Sequence, residues 1–570
     1  MQALRYSGSW WSTLPLRDAA QPLLIALPSI PYLCYPSTRS RPLGPERLLP
    51  IYTLRMLAGL RQFLFARLND PAKLILPGLA VILALVFLLE FRSFTTIAEL
   101  LPIAMATLVL ALFLVPQKTT SVIVTAILAL SIPFAHYAIF VMGGQGFQWA
   151  HLFGSVLIVH ALIRFLLGNR MRLTASSYWV LGLVLATVIS TFSFVSGSAD
   201  RVSEFSKSEI QILFGVLMFF AIMQVRIKTP YLLWILKAMI LISAGVALFG
   251  VYQIPARAFG WPGGVLTLNN PSLSSPLQST KIFNITRASS IFSEPSFFAH
   301  YLVAMLGLTL PAVLHRPRLL GSRLVLWCAI GAQMTGLVMS MAMTGFYLLI
   351  QLMVVMLLFE GRQTRARLVR WILVLGLAGG IVLVGVQTLT SYPVLELLAA
   401  RIVGIIRFIM GDQTYLIEGE SLFMRISTSQ IALRVFQDHP LWGVGLGSYT
   451  LVSPQYGEWN PAGFAANTLV DVLAETGIIG FVTLIGLAFS SLFGLWRVFR
   501  REHGPDESGP AMSEDRETTR LICRMVFYLL VIEILFWHVG NSLFLPATWF
   551  YFGLAGLATV HARRSAAERA

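Results

Sequence analysis

Between residues 74 and 562 the chain is largely a succession of apolar stretches, each about as long as the hydrocarbon core of a bilayer is thick. Lipid offers no partner to a backbone N–H or C=O, so such stretches close their hydrogen bonds within helices. At roughly 20 residues per crossing, the spans fall at 74–91, 95–115, 119–141, 149–168, 177–196, 210–225, 231–252, 296–314, 323–342, 344–360, 370–390, 470–497, 521–541 and 546–562. The expected fold is an all-α polytopic membrane protein with about 14 transmembrane helices. Composition agrees: 56% of residues are hydrophobic and only 12% charged. That is about half the charged share a soluble domain uses to cover its surface.

The net charge of +16 invites a nucleic-acid reading, but its placement assigns it to topology. With the amino terminus inside, roughly three-quarters of the Lys and Arg residues fall in inner loops or at inner span ends, with no inversion along the chain. Both termini are then expected in the cytoplasm, and no nucleic-acid partner is expected. Lys237 is the main charge within a span.

The span map divides the chain into a cytoplasmic or interfacial segment (1–73), seven spans (74–252), an outer loop (253–295), four spans (296–390), a large outer loop with helices (391–469), three spans (470–562) and a short inner tail (563–570). The apolar run near Leu23–Leu33 is broken by Pro28 and Pro31, which argues against a cleavable signal peptide. Residues 51–69 have the arginine-studded pattern of an interfacial helix. The polar segment 502–519 reads as a flexible inner loop. Cys34, Cys328 and Cys523 form no CxxC pair, and the nine histidines form no ligand-spaced cluster, so neither a metal nor another cofactor is expected.

The two long outer segments carry the chemistry, because ionisable groups at a membrane face are costly and mark function. Within 391–469, the stretches 394–409 and 422–437 have helical patterning, the second stopping at His439-Pro440. One cluster is RASSIFSEPSFFAH (287–300), in which Pro295 suits a first helical turn and places Glu294 at the helix start, with His300 two turns further on. Helix capping accounts for Glu294 alone, but not for Arg287 and Glu294 bracketing so apolar a segment. A second cluster runs from Arg425 to Tyr449. Arg425 and Arg434 fall on opposite faces of one helix, so only one of them faces a cavity. GVGLGSY (443–449) is a glycine-rich turn without a complete dinucleotide fingerprint or a preceding strand. In the third cluster, NTLVDVLAETGIIG (467–480), Asn467, Asp471 and Glu475 share one helical stripe, and Gly477 and Gly480 permit close helix packing.

Three runs together resemble the O-antigen ligase and polysaccharide polymerase (Wzy-type) superfamily: Arg287 with EPSFFA (294–299), Arg425 with HPLWGVGLGSY (439–449), and N-x-L-x-x-x-L-A-E-T-G-I-I-G from Asn467. The likeness covers roughly 280–490. It implies a GT-C-like frame in a bacterial inner membrane with the two long loops periplasmic. It also implies a metal-free glycosyltransferase whose donor is an undecaprenyl-diphosphate-linked oligosaccharide, with membrane lipid and a chain-length regulator as further partners. By the same resemblance Arg287 and Arg425 hold the donor diphosphate, which suits the bidentate fork of arginine. Asn467, Tyr449, Glu475 and Arg434 complete the substrate-binding set. Ligases of the superfamily carry a His just before the asparagine that matches Asn467, where this chain has Ala466. That departure favours a polymerase joining repeat units over a ligase acting on lipid A core or protein, and leaves the base to Glu294, Asp471 or His300. A lipid or glycan transporter is the alternative from another class, but the chain shows no clear paired halves. The first 280 residues add no further motif.

Overall fold

In the computed structural model the described residues are 117–567, without 143–144, 195–198, 271–280, 283–284, most of 391–415, 458–464 and 501–509. The expected spans at 74–91 and 95–115, the segment 1–73 and most of the stretch 394–409 lie outside them.

The described chain is mainly helical: α1 (Gln117–Ser131), α2 (Trp149–Leu166), α3 (Ala175–Phe194), α4 (Ala199–Met223), α5 (Thr229–Phe259), α6 (Pro295–His315), α7 (Arg323–Ser340), α8 (Met343–Phe359), α9 (Arg362–Thr390), α10 (Leu416–Asp438), α11 (Tyr449–Val452), α12 (Thr468–Arg500), α13 (Pro510–Phe536) and α14 (Pro546–Ala567). Seven of these helices, α2 to α7 and α12, are long and apolar enough to cross a membrane, and α8 is a shorter apolar helix.

Three elements depart from the expected pattern. The span expected over 119–141 ends as a helix at Ser131, passes through a 3-10 turn at Ile132–Phe134, and becomes strand β1 (Ala138–Met142), antiparallel to β2 (Gln145–Gln148). Pro133 has no N–H to continue the helix. A second short hairpin, β3 (Lys281–Ile282) with β4 (Ile285–Thr286), lies in the segment before α6. The segment 502–519, expected to be a loop, is helical from Pro510 onward.

α6 is the axis of the bundle. Almost all of its residues are buried, and α7, α8 and α13 pack along it. A Cβ on Gly307 would stand 2.9 Å from the Tyr528 carbonyl, so α6 and α13 approach backbone to side-chain-free backbone. On its other side Gln333 of α7 donates to Ser243 of α5 at 2.6 Å and to Thr309 of α6 at 3.1 Å, joining three helices through a buried amide. α12 lies along α3 and also contacts α10 and α13. The start of α12 is fixed to the far end of α13, where the Thr468 N–H donates to the Trp537 carbonyl at 2.7 Å. The starts of α6 and α12 and the end of α13 therefore meet at one end of the bundle.

Candidate functional site

Pro295 opens α6 with Glu294 in extended geometry just before it. The Glu294 side chain makes no capping bond to the helix; its Oε2 instead accepts the Ser296 hydroxyl at 2.9 Å. The preceding residues 288–293 are buried, so the segment is tucked into the bundle rather than looped over it. Arg257 at the end of α5 holds it there by donating to the carbonyl of Arg287 and, at 3.4 Å, to Ser289. Arg287, half-buried, stands at the head of this segment and Glu294 at its tail.

Arg425 lies on α10, half-buried, while Arg434 on the same helix is exposed and donates to the Tyr456 carbonyl at 3.2 Å. The expected division of the two arginines between opposite faces is seen, with Arg425 the inward one. Burial pulls the Arg425 guanidinium below its ordinary value, and the Glu294 carboxylate opposes that shift. The two residues, on segments far apart in the chain, therefore share one electrostatic environment. Even lowered, a guanidinium of this kind stays charged near neutrality.

The backbone around Arg425 is pinned by a buried network. Thr428, one turn on, donates its hydroxyl to the Arg425 carbonyl at 3.3 Å and receives the Ala466 N–H at 3.3 Å. Tyr449 donates its phenol to the Thr428 carbonyl at 2.8 Å, and its own N–H reaches Glu475 Oε1 at 3.3 Å. Burial first, then the charges of Asp471 and Glu475, push the Tyr449 phenol up, so it remains a donor. With 1% of its surface exposed, Tyr449 is a strut rather than an open contact.

The glycine turn is set by a close approach of two backbones. Gly443, Gly445 and Gly447 all have positive φ, and so does Gly477 (φ 64°, ψ −166°), which interrupts α12. A Cβ on Gly477 would come within 2.2 Å of the Leu441 carbonyl oxygen, and one on Gly443 within 2.3 Å of the Glu475 carbonyl carbon. Only glycine suits both demands at Gly477. Gly477 thus breaks the helix to receive the 441–445 strand of chain, where packing of whole helices had been expected. The Val444 and Gly445 N–H groups then donate to the Ala474 and Glu475 carbonyls, and Ile478 N–H to Pro440. Ser190 of α3 locks the junction, donating to the Glu475 carbonyl at 2.5 Å and receiving Gly445 N–H at 3.1 Å.

Asn467, Asp471 and Glu475 do lie on one stripe, and each carboxylate or amide is engaged. Asn467 Oδ1 accepts the Leu469 and Val470 N–H groups at 3.0 and 3.3 Å and so caps α12. Asp471, buried, receives Ala465 N–H at 3.3 Å and the Asn541 amide at 2.7 Å. Glu475, also buried, receives the backbone N–H groups of Gly447 and Tyr449.

His300 is placed elsewhere. Its Nε2 stands 3.3 Å from Glu533 Oε2 of α13, and its ring stacks on Phe536 at 3.8 Å between centroids. Glu533 is wholly buried and its Oε1 receives the hydroxyls of Ser542 at 2.7 Å and Thr548 at 2.6 Å. Sequence reading passed over Glu533, although a carboxylate in the middle of an apolar span is signal enough. It also passed over Ser190, for which a hydroxyl in a span gives no distinguishing signal.

The arrangement thus sets a half-buried cation within the electrostatic influence of the carboxylate at the start of α6, held by a glycine and tyrosine scaffold. Among the described residues no three His, Cys, Asp or Glu side chains are grouped to hold a metal ion. No protein-family model and no curated protein matches this chain.

Proposed function

We propose that the protein is a membrane glycosyltransferase that polymerises lipid-diphosphate-linked glycan repeat units, in the manner of the Wzy-type polymerases its motifs resemble. The observation that carries the reading is the electrostatic influence of the Glu294 carboxylate on the Arg425 guanidinium. They belong to two of the three motif-bearing segments, and they share one electrostatic environment although they are far apart in sequence. In the reaction an acceptor hydroxyl oxygen bonds to the anomeric carbon of the donor while the bond from that carbon to the lipid diphosphate breaks. The hydroxyl proton passes to a carboxylate, and the diphosphate leaves with its added negative charge. Arg425 and Arg287 stabilise that charge, a role in which preorganised cations are effective.

Of the three candidate bases, Glu294 suits the proton transfer best. Both Asp471 oxygens accept hydrogen bonds within the scaffold, and His300 is committed to Glu533 and Phe536. Glu294 has one oxygen bonded only to a neighbouring serine and is part-exposed. The test is an assay of the purified protein with undecaprenyl-diphosphate-linked repeat unit, products resolved by size. A ladder of lengthening glycan that disappears in Arg425→Ala and Glu294→Gln supports the reading. An unaltered donor with the folded wild-type protein rejects it.

A further inference from the structure

The opposite end of the bundle holds a cavity of about 640 Å³ that the reading above does not use. It lies between the end of α6, the end of α12 and the first turns of α13, and its charged lining is Arg316, Arg500, Arg520 and Arg524 with Glu514 and Glu517. Its volume is in the range of small-molecule and cofactor sites. Four guanidiniums face two carboxylates. The helix dipole explains basic residues on the last turns of α6 and α12. It does not explain Arg520 and Arg524, which lie well inside α13 and line the same space.

The pairings within the cavity differ in strength. Arg524 is paired with the buried carboxylate of Glu360 at 3.3 Å. Arg316 meets Glu514 at 2.9 Å, but that carboxylate is 70% exposed, and a pair so open to water is worth little and easily exchanged. Lys237 lies within electrostatic reach of Arg316 and adds positive charge nearby.

The level of the cavity in a membrane is marked independently. On α12, Phe489 stacks on Phe493 at 5.7 Å and Phe493 meets Trp496 at 5.6 Å. Arg497 lies over Phe493 and Arg500 over Trp496, at 4.5 and 4.7 Å. Trp496 followed by Arg497 and Arg500 at the end of an apolar helix fits the headgroup layer, where tryptophan and arginine are enriched. Arg500 belongs both to that helix end and to the cavity.

We propose that this cavity binds a phosphate monoester or diphosphate group, held by Arg316, Arg500 and Arg520, and carried by an anionic membrane lipid or by a soluble molecule. Guanidinium forks match phosphate oxygens, and basic pockets between helices at this level take lipid headgroups. The site is separate from the Arg425 and Glu294 end and stands whether or not the glycosyltransferase reading holds.

The experiment is native mass spectrometry of the full chain in detergent, titrated in separate arms with phosphatidic acid, phosphatidylcholine and inorganic pyrophosphate. Wild type and Arg500→Gln/Arg520→Gln are compared. The expected result is binding of phosphatidic acid by wild type, weakened by about tenfold or more in the double variant, with phosphatidylcholine unaffected. Pyrophosphate that binds alone, or displaces the lipid at equal concentration, assigns the site to a soluble ligand. Equal binding by wild type and variant in both anionic arms, or none by wild type, overturns the proposal. Arg500→Gln alone, at an exposed position, supplies the comparison if the double variant does not fold.

Discussion

The phenol of Tyr449 donates to the main-chain carbonyl of Thr428 at 2.8 Å, so the glycine turn and the helix bearing Arg425 are joined by a bond that needs no charge. Because Thr428 in turn bonds the Arg425 carbonyl, Tyr449 sets the position of that arginine from two residues away in contact. Tyr449→Phe keeps the ring and removes only the donor. The expected cost is about 1 kcal/mol of stability, read as a modest fall in the unfolding temperature in detergent. Polymerisation should fall a few-fold, as positioning loosens. A loss on the order of 100-fold with unchanged stability would instead place the phenol against substrate.

Gly477 tests the scaffold from the other side. Gly477→Ala adds a Cβ against the Leu441 oxygen at a positive φ, and neither neighbour can yield because both are backbone. The expected outcome is failure to accumulate as folded protein in the membrane. Gly331→Ala is the matched control: nothing lies within 4 Å of its added Cβ, and it sits inside α7. There alanine should be neutral or stabilising by up to about 1 kcal/mol. Fluorescence-detected size exclusion of the two variants distinguishes them. Equal folded yields would show that the 441–445 and 474–478 backbones are not so closely apposed.

The two arginines of α10 should separate cleanly. Arg425→Lys keeps a charge but loses the fork, and Arg425→Ala loses both. Polymer yield is expected to fall by about 100-fold or more for alanine, with little recovery by lysine, as for removal of a preorganised transition-state donor. Arg434→Ala, which frees only an exposed contact to the Tyr456 carbonyl, should leave yield within about twofold, in keeping with the small weight of surface contacts. Comparable losses at both positions would mean that the helix face has been assigned wrongly.

His300 and Glu533 should behave as a unit. Their side chains meet at 3.3 Å inside the bundle, and truncating one leaves the other buried without it. Each of His300→Ala and Glu533→Gln is therefore expected to lower stability by more than its share of the double variant. The signature is a coupling of about 0.5–3 kcal/mol in a double-mutant cycle. Additive effects would show that Ser542 and Thr548 suffice for Glu533 and that the histidine is incidental.

What the sequence discloses here depends on how local the governing physics is. The start of α6 at Pro295 and the end of α10 before Pro440 are legible because a proline acts on its own turn. Asn467 could be read as sharing a stripe with Asp471 and Glu475, and it does, although its side chain serves as a helix cap. The break at Gly477 was not legible, since it exists only because the 441–445 backbone arrives from elsewhere. The hairpin at 138–148 was hidden for another reason: apolar residues such as those of Ala138–Met142 look alike in a strand and in a span. Ser190 and Glu533 acquire their meaning from partners far away in the chain.

The acid at the arginine-rich end should make stability fall at low pH, in a defined window. Glu360 lies just beyond α8, where burial alone disfavours its charge. That effect is outweighed by the hydrogen bond from His315, the charge of Arg524 and the hydrogen bond from Tyr528, which together hold the carboxyl below the usual glutamate range. A carboxyl lowered on folding binds its proton less readily in the folded than in the unfolded state. Its contribution is therefore complete above the unfolded value, about 4.3, and is lost as pH falls through the lower folded value. The stability gap between wild type and Glu360→Gln should be present at about pH 5 and narrow below about pH 4. Thermal unfolding in detergent across that range measures it. A gap that widens on acidification would reverse the sign, and would mean that burial, not the surrounding donors, governs this carboxyl.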